Sequence, residues 1–194
     1  MKNLALFASG NGSNVQRIVE YFSDNPSVCI KLIVCNNPQA YVLERAKKLK
    51  INAVLINNKT AFYHEDQLLQ TLKQNRIDLL VLAGFLWLIP AHIIEAFPNR
   101  IINIHPALLP KYGGKGMYGM RVHEAVVANG ETESGITIHY VNPCYDEGEI
   151  IFQTKCALSP KDTPENLAQK VHALEYEYFP KIIEDETGKL NTGK

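Results

Sequence analysis

Three polar side chains have the types and the spacing needed to stabilise negative charge on a reacting oxygen. Asn103 and His105 lie two residues apart in "INIHP", so a strand would direct both to the same side. A protonated imidazole and an amide NH₂ are both donors, and two donors aimed at one point stabilise the oxyanion of an acyl transfer. Asp146, in the loop "CYDEGE", is the candidate for the acidic partner that keeps an imidazolium charged near neutral pH.

Each of these three residues also has an ordinary structural interpretation. Asn103 and Asp146 are turn-forming residue types, and His105 could be a hydrogen-bonded residue of the core. Because all three suit a single role, the pattern favours the chemical interpretation. No Ser or Cys occupies a nucleophile elbow, so direct transfer between two substrates is favoured over a covalent enzyme intermediate.

A glycine-rich turn, "ASGNGSN" (residues 8–14), follows the first predicted strand and opens the first predicted helix. The amides and partial positive charge of a helix N-terminus suit an anion, and Gly12, Ser13 and Asn14 would surround it. A dinucleotide fingerprint fits less well, because Val15 stands where its third glycine belongs and the second strand ends in "CNN" without an acid. The turn favours a single terminal phosphate, although a tight turn with a Ser or Asn cap explains the turn alone equally well.

The elements that must position these residues predict an α/β fold. Apolar runs alternate with amphipathic segments up to residue 104. The predicted strands cover residues 4–8, 28–34, 53–56, 79–83 and 101–104, and the predicted helices cover 15–22, 40–50, 62–74 and 90–96. This alternation predicts a Rossmann-like open, mostly parallel twisted sheet with helices on both faces. Asn103 and His105 then lie at the carboxyl end of a strand, where such sheets bind ligands.

The pattern changes near the C-terminal end. Predicted strands at 135–141 and 149–156 are joined by a short loop with no room for a helix, which predicts an antiparallel C-terminal hairpin added to the sheet. The peptide bond between Leu109 and Pro110 is a candidate for the cis form.

A helix is predicted over 164–179, capped by Asp162 or Thr163 and ended or kinked by Pro180. We therefore expect a single domain over 1–185 and a polar, disordered tail over 186–194.

The composition argues against several classes of partner and site. Twenty Lys and Arg balance twenty Asp and Glu, so no nucleic acid and no anionic membrane is expected as a partner. The four cysteines form no Cys-x-x-Cys pair and no His-Glu-x-x-His is present, so no metal site is predicted. Without a signal peptide or an apolar run long enough to cross a bilayer, the chain is expected to be cytoplasmic, with free thiols.

Four segments, in this order and at these separations, resemble the phosphoribosylglycinamide formyltransferases, a family of folate-dependent enzymes of purine biosynthesis. They are "SGNGSN", "LAGF", "NIHPALLPKY" and "GITIHYVNPCYDEGEII". The resemblance implies transfer of a formyl group from 10-formyltetrahydrofolate, a co-substrate, to the amine of 5′-phosphoribosylglycinamide, with no metal. The chain is expected to have no room for the additional domain of the transfer-RNA formyltransferase and formyltetrahydrofolate hydrolase relatives.

The resemblance also implies roles for residues by position. Asn103, His105 and Asp146 match the catalytic trio. The ribotide phosphate and ribose would be held by Gly12, Ser13, Asn14, His172 and Glu175. The folate would contact Asn103 and two loops, whose residues are Leu86, Trp87, Leu88, Ile89, Asn142, Pro143, Cys144, Tyr145 and Asp146.

Some positions stay open within the resemblance. An arginine that contacts folate in some members has no clear counterpart, and Tyr63 or His64 are the candidates to replace it. No roles are assigned to Lys115, Tyr118 and His123, because the segment that contains them is longer than in some members.

Other functions remain as alternatives at this stage. On the same scaffold, a hydrolase could release formate, or a formyltransferase could act on a sugar nucleotide. A nicotinamide-dependent reductase and a non-catalytic nucleotide- or folate-binding protein are alternatives from other classes. The oligomeric state is open, with a homodimer as one alternative.

Overall fold

A computed structural model describes residues 1–190 and contains a seven-stranded sheet. Its strands are β1 (Lys2–Ala8), β2 (Val28–Cys35), β3 (Asn52–Leu55), β4 (Leu79–Leu82), β5 (Ile101–His105), β6 (Glu133–Tyr140) and β7 (Ile150–Ala157), in the spatial order β3-β2-β1-β4-β5-β6-β7. The first five strands are parallel, and β6 and β7 continue the sheet antiparallel. This confirms the predicted Rossmann-like open sheet with its antiparallel C-terminal hairpin.

Helices cover both faces of the sheet. They are α1 (Ser13–Tyr21), α2 (Val42–Leu49), α3 (Lys59–His64), α4 (Gln67–Gln74), α5 (Ala91–Ala96), α6 (Met120–Ala128) and α7 (Pro164–Lys189). Leu4 and Leu6 of β1 face a core formed with α1, α2, α6 and α7, whereas Ala5 and Phe7 face a core formed with α3, α4 and α5. Strand order reverses between β1 and β4, and ligands bind outside the carboxyl ends of the strands at such a point. Within residues 1–190, no helix has the length and apolar composition needed to cross a bilayer.

The helix predicted over 62–74 is two helices. Asn58 begins α3 by accepting a hydrogen bond from the backbone N–H of Ala61 at 3.1 Å. Glu65 then takes an extended conformation, and α4 starts after Asp66. An amphipathic pattern runs through both helices, so hydrophobic spacing alone did not reveal the break.

The last helix does not end at Pro180, because α7 runs from Pro164 to Lys189 with the proline inside it. Pro180 cannot donate to the carbonyl of Tyr176, four residues earlier, but Arg17 of α1 donates to that carbonyl at 3.3 Å. Phe179 and Ile183 are buried on either side of the proline, which offsets its cost. The predicted tail is therefore helical through residue 189, and its residues 191–194 lie outside the described part of the chain.

The helix α6 was not predicted from the sequence. It begins directly after Gly119 and is followed by Asn129 and Gly130. Val122 and Val126, four residues apart, are its buried apolar positions and were the available signal.

We expect Thr163→Ala to lower the free energy of unfolding by about 1 kcal/mol. The Thr163 hydroxyl accepts from the backbone N–H of Asn166 at 3.3 Å, and the Asn166 side chain accepts from the backbone N–H of Thr163 at 3.4 Å. Urea unfolding followed by circular dichroism measures the loss, and Thr163→Ser, which keeps the hydroxyl, should retain most of the stability. Equal unfolding midpoints for Thr163→Ala and the unmodified chain would contradict a stabilising cap.

Candidate active site

The side chains of Asn103, His105 and Asp146 meet at the carboxyl end of β5. Nδ1 of His105 lies 3.5 Å from Oδ2 of Asp146, and Nδ2 of Asn103 donates to Oδ1 of Asp146 at 3.5 Å. Asp146 reaches the strand from the loop between β6 and β7, where its own backbone is left-handed with φ 57°. Gly114 stabilises this position, because its backbone N–H donates to Oδ2 of Asp146 at 2.9 Å. Two distant parts of the chain thus contribute to one cluster.

A fourth side chain in the cluster, His139, was missed in the sequence analysis. The antiparallel pairing of β6 with β5 places His139 directly opposite Asn103. Nδ1 of His139 lies 2.8 Å from the carbonyl oxygen of Tyr140, so this nitrogen carries the proton. In the neutral ring Nε2 is then free to accept from Nδ2 of Asn103, 3.0 Å away. The buried imidazole therefore orients the Asn103 amide.

The expectation that Asp146 keeps His105 charged near neutral pH needs correction. Burial lowers the pKa of His105 and outweighs the raising effects of the Asp146 carboxylate and of the Tyr112 carbonyl, so the net shift is below the ordinary value. The Tyr112 carbonyl oxygen lies 2.8 Å from Nε2 of His105. Asp146 thus favours the imidazolium, as predicted, but a ring that is only 3% exposed loses more from burial. The neutral ring predominates near neutral pH in the free protein.

Asp146 itself is held as a carboxylate. Burial alone would raise the pKa of Asp146. The nearby ring of His139, whose Nε2 lies 3.7 Å from Oδ1, the positive charge that His105 can carry and the Gly114 amide together outweigh burial and hold that pKa below its ordinary value. The cluster therefore contains one fixed negative charge that faces the ring of His105.

The glycine-rich turn leads into α1 as expected. Gly12 precedes the helix in a left-handed conformation with φ 75°, and no side chain caps the helix. A Cβ atom on Gly12 would lie 2.5 Å from Cγ2 of Val42, so only glycine fits between the turn and α2. The first turn, including Ser13, presents backbone amides without a side-chain acceptor, which is the arrangement that binds an anion.

The predicted ribotide residues on α1 and α7 come together. Nδ2 of Asn14 donates to Oε2 of Glu175 at 2.9 Å, and Nδ1 of His172 lies 2.9 Å from the same oxygen. The hydrogen bond with Glu175 raises the pKa of His172 above its ordinary value, against the lowering effect of burial. The Glu175 side chain is buried, whereas about half of the His172 side chain is exposed. A histidine that readily carries positive charge therefore lies beside the end of α1 that favours anions.

His123 is close enough to the predicted ribotide residues and to the trio for charges in both groups to affect its pKa. It is 2% exposed on α6, and its Nδ1 has no hydrogen-bond partner within residues 1–190. Burial lowers the pKa of His123, with smaller effects from His172, Glu175 and His105. Lys115 and Tyr118, the other two residues left open by the sequence, are exposed.

The first of the two predicted folate loops is hydrogen-bonded to the glycine-rich turn. The backbone N–H of Leu86 donates to the hydroxyl of Ser9 at 2.9 Å, and Leu86 itself is exposed. Trp87 is half-buried in an aromatic cluster, with its ring 5.3 Å from that of Phe62, so it covers the rim of the core. Leu88 is half-buried and Ile89 is buried.

The second predicted folate loop lies near the first. Its backbone turns at Asn142, whose side chain accepts from the N–H of Cys144 at 2.9 Å, and Pro143, Cys144 and Tyr145 are exposed. Burial raises the pKa of Tyr63, and the nearby Tyr145 adds to this effect. Tyr63 therefore lies close to both loops, since the backbone of Leu88 also affects its pKa, in the opposite direction. His64 lines a neighbouring groove of about 710 Å³ together with Lys59 and His92.

Comparison with known proteins gives one consistent family. A family described as formyl transferase matches residues 2–183. Phosphoribosylglycinamide formyltransferase of Bacillus subtilis is 36% identical over the whole chain, which spans 99% of that enzyme. The chloroplastic enzyme of that name from Arabidopsis thaliana is 41% identical over 94% of the chain, and the matched part of the chain spans 64% of its length.

Solved structures agree with the sequence relatives. The phosphoribosylglycinamide formyltransferase from Anaplasma phagocytophilum superposes with a TM-score of 0.87 at 30% identity, covering 97% of this chain and 88% of that one. The enzyme of the same name from Bacillus halodurans gives a TM-score of 0.85 at 32% identity, covering 100% and 97%. The chain belongs to the formyl transferase family and, within it, to the phosphoribosylglycinamide formyltransferases.

Proposed function

We propose that the chain transfers the formyl group of 10-formyltetrahydrofolate to the amine of 5′-phosphoribosylglycinamide, in the cytoplasm. The observation that carries this proposal is the convergence of Asn103, His105 and Asp146 at the carboxyl end of β5. Family membership supplies the reaction class, and the name of the relative that the chain matches along almost its whole length supplies the acceptor. The folate donor is the one that the resemblance of the sequence implies.

The ribotide binds between α1 and α7 in this proposal. Its phosphate accepts hydrogen bonds from the amides of Gly12, Ser13 and Asn14, and the positive end of α1 favours its charge. Oε2 of Glu175 already accepts from Asn14, and Oε1 has no partner within residues 1–190, so Oε1 is the acceptor offered to a ribose hydroxyl. The folate pterin lies between the loop at 86–89 and the loop at 142–146.

The reaction proceeds by direct attack. The neutral amine nitrogen of the ribotide bonds to the formyl carbon, and the formyl oxygen gains negative charge. Asn103 donates to that oxygen from Nδ2, and the imidazolium of His105 donates from Nδ1, because its Nε2 proton is directed at the Tyr112 carbonyl. Such bonds stabilise developing charge most in a site shielded from water. The bond between the carbon and N10 of the folate then breaks, N10 gains a proton, and the amine nitrogen loses one.

Asp146 favours the charged form of His105 when the oxyanion develops. Burial keeps the pKa of His105 low in the free enzyme, so the imidazolium is a minor species there. A developing negative charge beside the ring stabilises the imidazolium together with Asp146. Stabilisation is therefore larger in the transition state than in the ground state, which is the condition for a higher kcat.

A formyl-transfer assay with both substrates tests the proposed function. The absorbance change of the folate should require the ribotide. Consumption of 10-formyltetrahydrofolate without the ribotide would indicate a hydrolase, and transfer only to an amino-sugar nucleotide would indicate the other formyltransferase class. Tight binding of both ligands without turnover would indicate a binding protein.

We expect Glu175→Gln to raise the KM for the ribotide roughly tenfold while kcat changes less. The substitution keeps the shape of the side chain but removes the charge that raises the pKa of His172. His172 then loses its positive charge at a lower pH, and the ribotide phosphate loses a nearby cation. Steady-state kinetics with each substrate varied in turn measures the effect.

The matched control for Glu175 is Glu177→Gln. Glu177 lies on the same helix, and its exposed side chain pairs with Lys181. Its replacement should leave both KM values unchanged. If Glu175→Gln raised only the KM for the folate, the assignment of α7 to the ribotide would be wrong.

A further inference from the structure

Arg45 of α2 is bound to the glycine-rich turn by a set of hydrogen bonds that the reaction described above does not use. Its Nε donates to the carbonyl oxygen of Asn11 at 2.8 Å, and its Nη2 donates to Oδ1 of Asn11 at 2.6 Å. Its Nη1 donates to Oε1 of Gln16 on α1. The guanidinium also lies over the ring of Tyr41, with Cζ 5.1 Å from the ring centre. Arg45 thus connects α2 to the turn and to the first helix at once.

A second contact from α2 acts on the same turn. The backbone N–H of Val42 donates to the carbonyl oxygen of Gly10 at 3.1 Å. The carbonyls of Gly10 and Asn11 therefore both point toward α2. In a trans peptide the C=O and the following N–H point in opposite directions, so the amides of Asn11 and Gly12 point away from α2.

The direction of these amides matters for an anion at the start of α1. Gly12 is the residue before the helix, and its φ of 75° is one of several conformations that glycine adopts readily, so contacts from its neighbours select it. Peptide planes in a glycine-rich turn rotate easily, and a rotated plane would present a carbonyl oxygen to the phosphate. Hydrogen bonds to the two carbonyls on the α2 side oppose that rotation.

We propose that Arg45 is a positioning residue for the ribotide phosphate. Its hydrogen bonds hold the Asn11 carbonyl toward α2, and this directs the Gly12 amide toward the phosphate. The inference rests on the proposed function, since it takes the phosphate to be that of the ribotide. Arg45 acts through the turn, and its guanidinium is already occupied by Asn11 and Gln16. The planar geometry of the guanidinium matters more than its charge, because the group reaches three acceptors in this arrangement and a lysine ammonium does not reach all three.

Replacement of Arg45 by methionine tests the proposal. Arg45→Met should raise the KM for the ribotide about tenfold, whereas kcat and the KM for 10-formyltetrahydrofolate should stay within about twofold. Arg45→Lys keeps the charge without the planar guanidinium and should resemble Arg45→Met. A general loss of structure would instead affect both substrates and the thermal unfolding midpoint.

Lys48→Met is the matched control. Lys48 is one turn further along α2, and its Nζ lies 5.5 Å from the same Tyr41 ring centre and donates to the Tyr41 hydroxyl at 3.1 Å. The control removes the same charge from the same helix without touching the turn, so its kinetics should match the unmodified enzyme. Equal effects of Arg45→Met and Lys48→Met, or normal kinetics of Arg45→Lys, would overturn positioning in favour of a diffuse charge effect.

Line broadening of inorganic phosphate in ³¹P spectra gives a readout that does not depend on turnover. Phosphate should bind the unmodified chain and Lys48→Met equally, and Arg45→Met more weakly by a similar factor of about ten. If the unmodified chain showed no formyl transfer but kept this pattern, the proposed function would fail and the role of Arg45 at an anion site would stand. If it turned over and Arg45→Met matched it in both readouts, the role of Arg45 would fail alone.

Discussion

Replacing His105 with alanine is expected to lower kcat by about a hundred- to a thousandfold, because the oxyanion loses one of its two donors. The ring is held between the Asp146 carboxylate and the Tyr112 carbonyl, and alanine leaves no donor at that position. Stopped-flow and steady-state measurements of formyl transfer at saturating substrates give the loss directly. The KM values should change much less than kcat.

Asn103→Ala should cause a loss of similar size, and the double variant should lose less than the product of the two. Both donors act on one oxygen, and residues that act as a unit have strongly non-additive effects. His139, whose Nε2 lies 3.0 Å from Nδ2 of Asn103 and 3.7 Å from Oδ1 of Asp146, should affect kcat through both of these residues. A double variant whose loss equals the product would show that the two donors act independently.

His92→Ala serves as the control for His105→Ala. His92 is a half-buried histidine on α5 that takes part in none of the contacts of the cluster. The kcat of His92→Ala should match that of the unmodified enzyme. Circular dichroism should show that His92→Ala and His105→Ala are both folded. Near-normal turnover in His105→Ala would rule out the proposed role of the imidazole.

Most of the fold followed from hydrophobic periodicity, because parallel strands buried on both faces have apolar runs that are hard to mistake. The strands at 28–34 and 79–83 were predicted within a residue of their observed ends. The errors have physical causes. The start of α3 depends on a local cap at Asn58, and the break before α4 lies at Glu65, whose backbone is extended. The passage of α7 through Pro180 depends on Arg17, which is far away in sequence.

The candidate site was predictable where residues share a strand or a motif, and not where tertiary register decides. Asn103 and His105 share one face of β5, and the hairpin loop that carries Asp146 had a recognisable motif. His139 enters the cluster only because β6 pairs with β5 in a register that the sequence does not specify. The Gly114 amide contributes through a glycine-rich loop whose path could not be predicted either.

The charge state of His105 could not be predicted from the sequence for a similar reason. Charge partners can be identified from sequence motifs, whereas the depth of burial is a property of the whole fold. Asp146 raises the pKa of His105 as the motif suggested, but burial lowers it by more. This direction sets the pH dependence of the reaction.

Asp146→Asn is expected to lower kcat/KM at its plateau by on the order of a hundredfold and to move the acidic limb of the pH profile to lower pH. The reaction needs a protonated His105 and a neutral substrate amine, whose own pKa is about 8. Since the pKa of His105 lies below that of the amine, the fraction of productive pairs rises with pH up to the His105 pKa, is constant between the two values, and falls above that of the amine. The acidic limb therefore reports His105.

The height of the kcat/KM plateau depends on the pKa of His105, as the position of the acidic limb does. Asparagine keeps the shape of Asp146 but removes the charge that raises the pKa of His105, so that pKa falls further. Each unit by which the pKa of His105 falls should lower the plateau of kcat/KM about tenfold, because a smaller fraction of the rings is protonated between the two pKa values. Glu147→Gln, an exposed neighbour in the same loop, should change neither the limb nor the plateau. If His105 instead acted as a neutral donor, the change in plateau height caused by Asp146→Asn would not match the shift of the acidic limb. An unmoved limb would exclude any role of Asp146 in the protonation of His105.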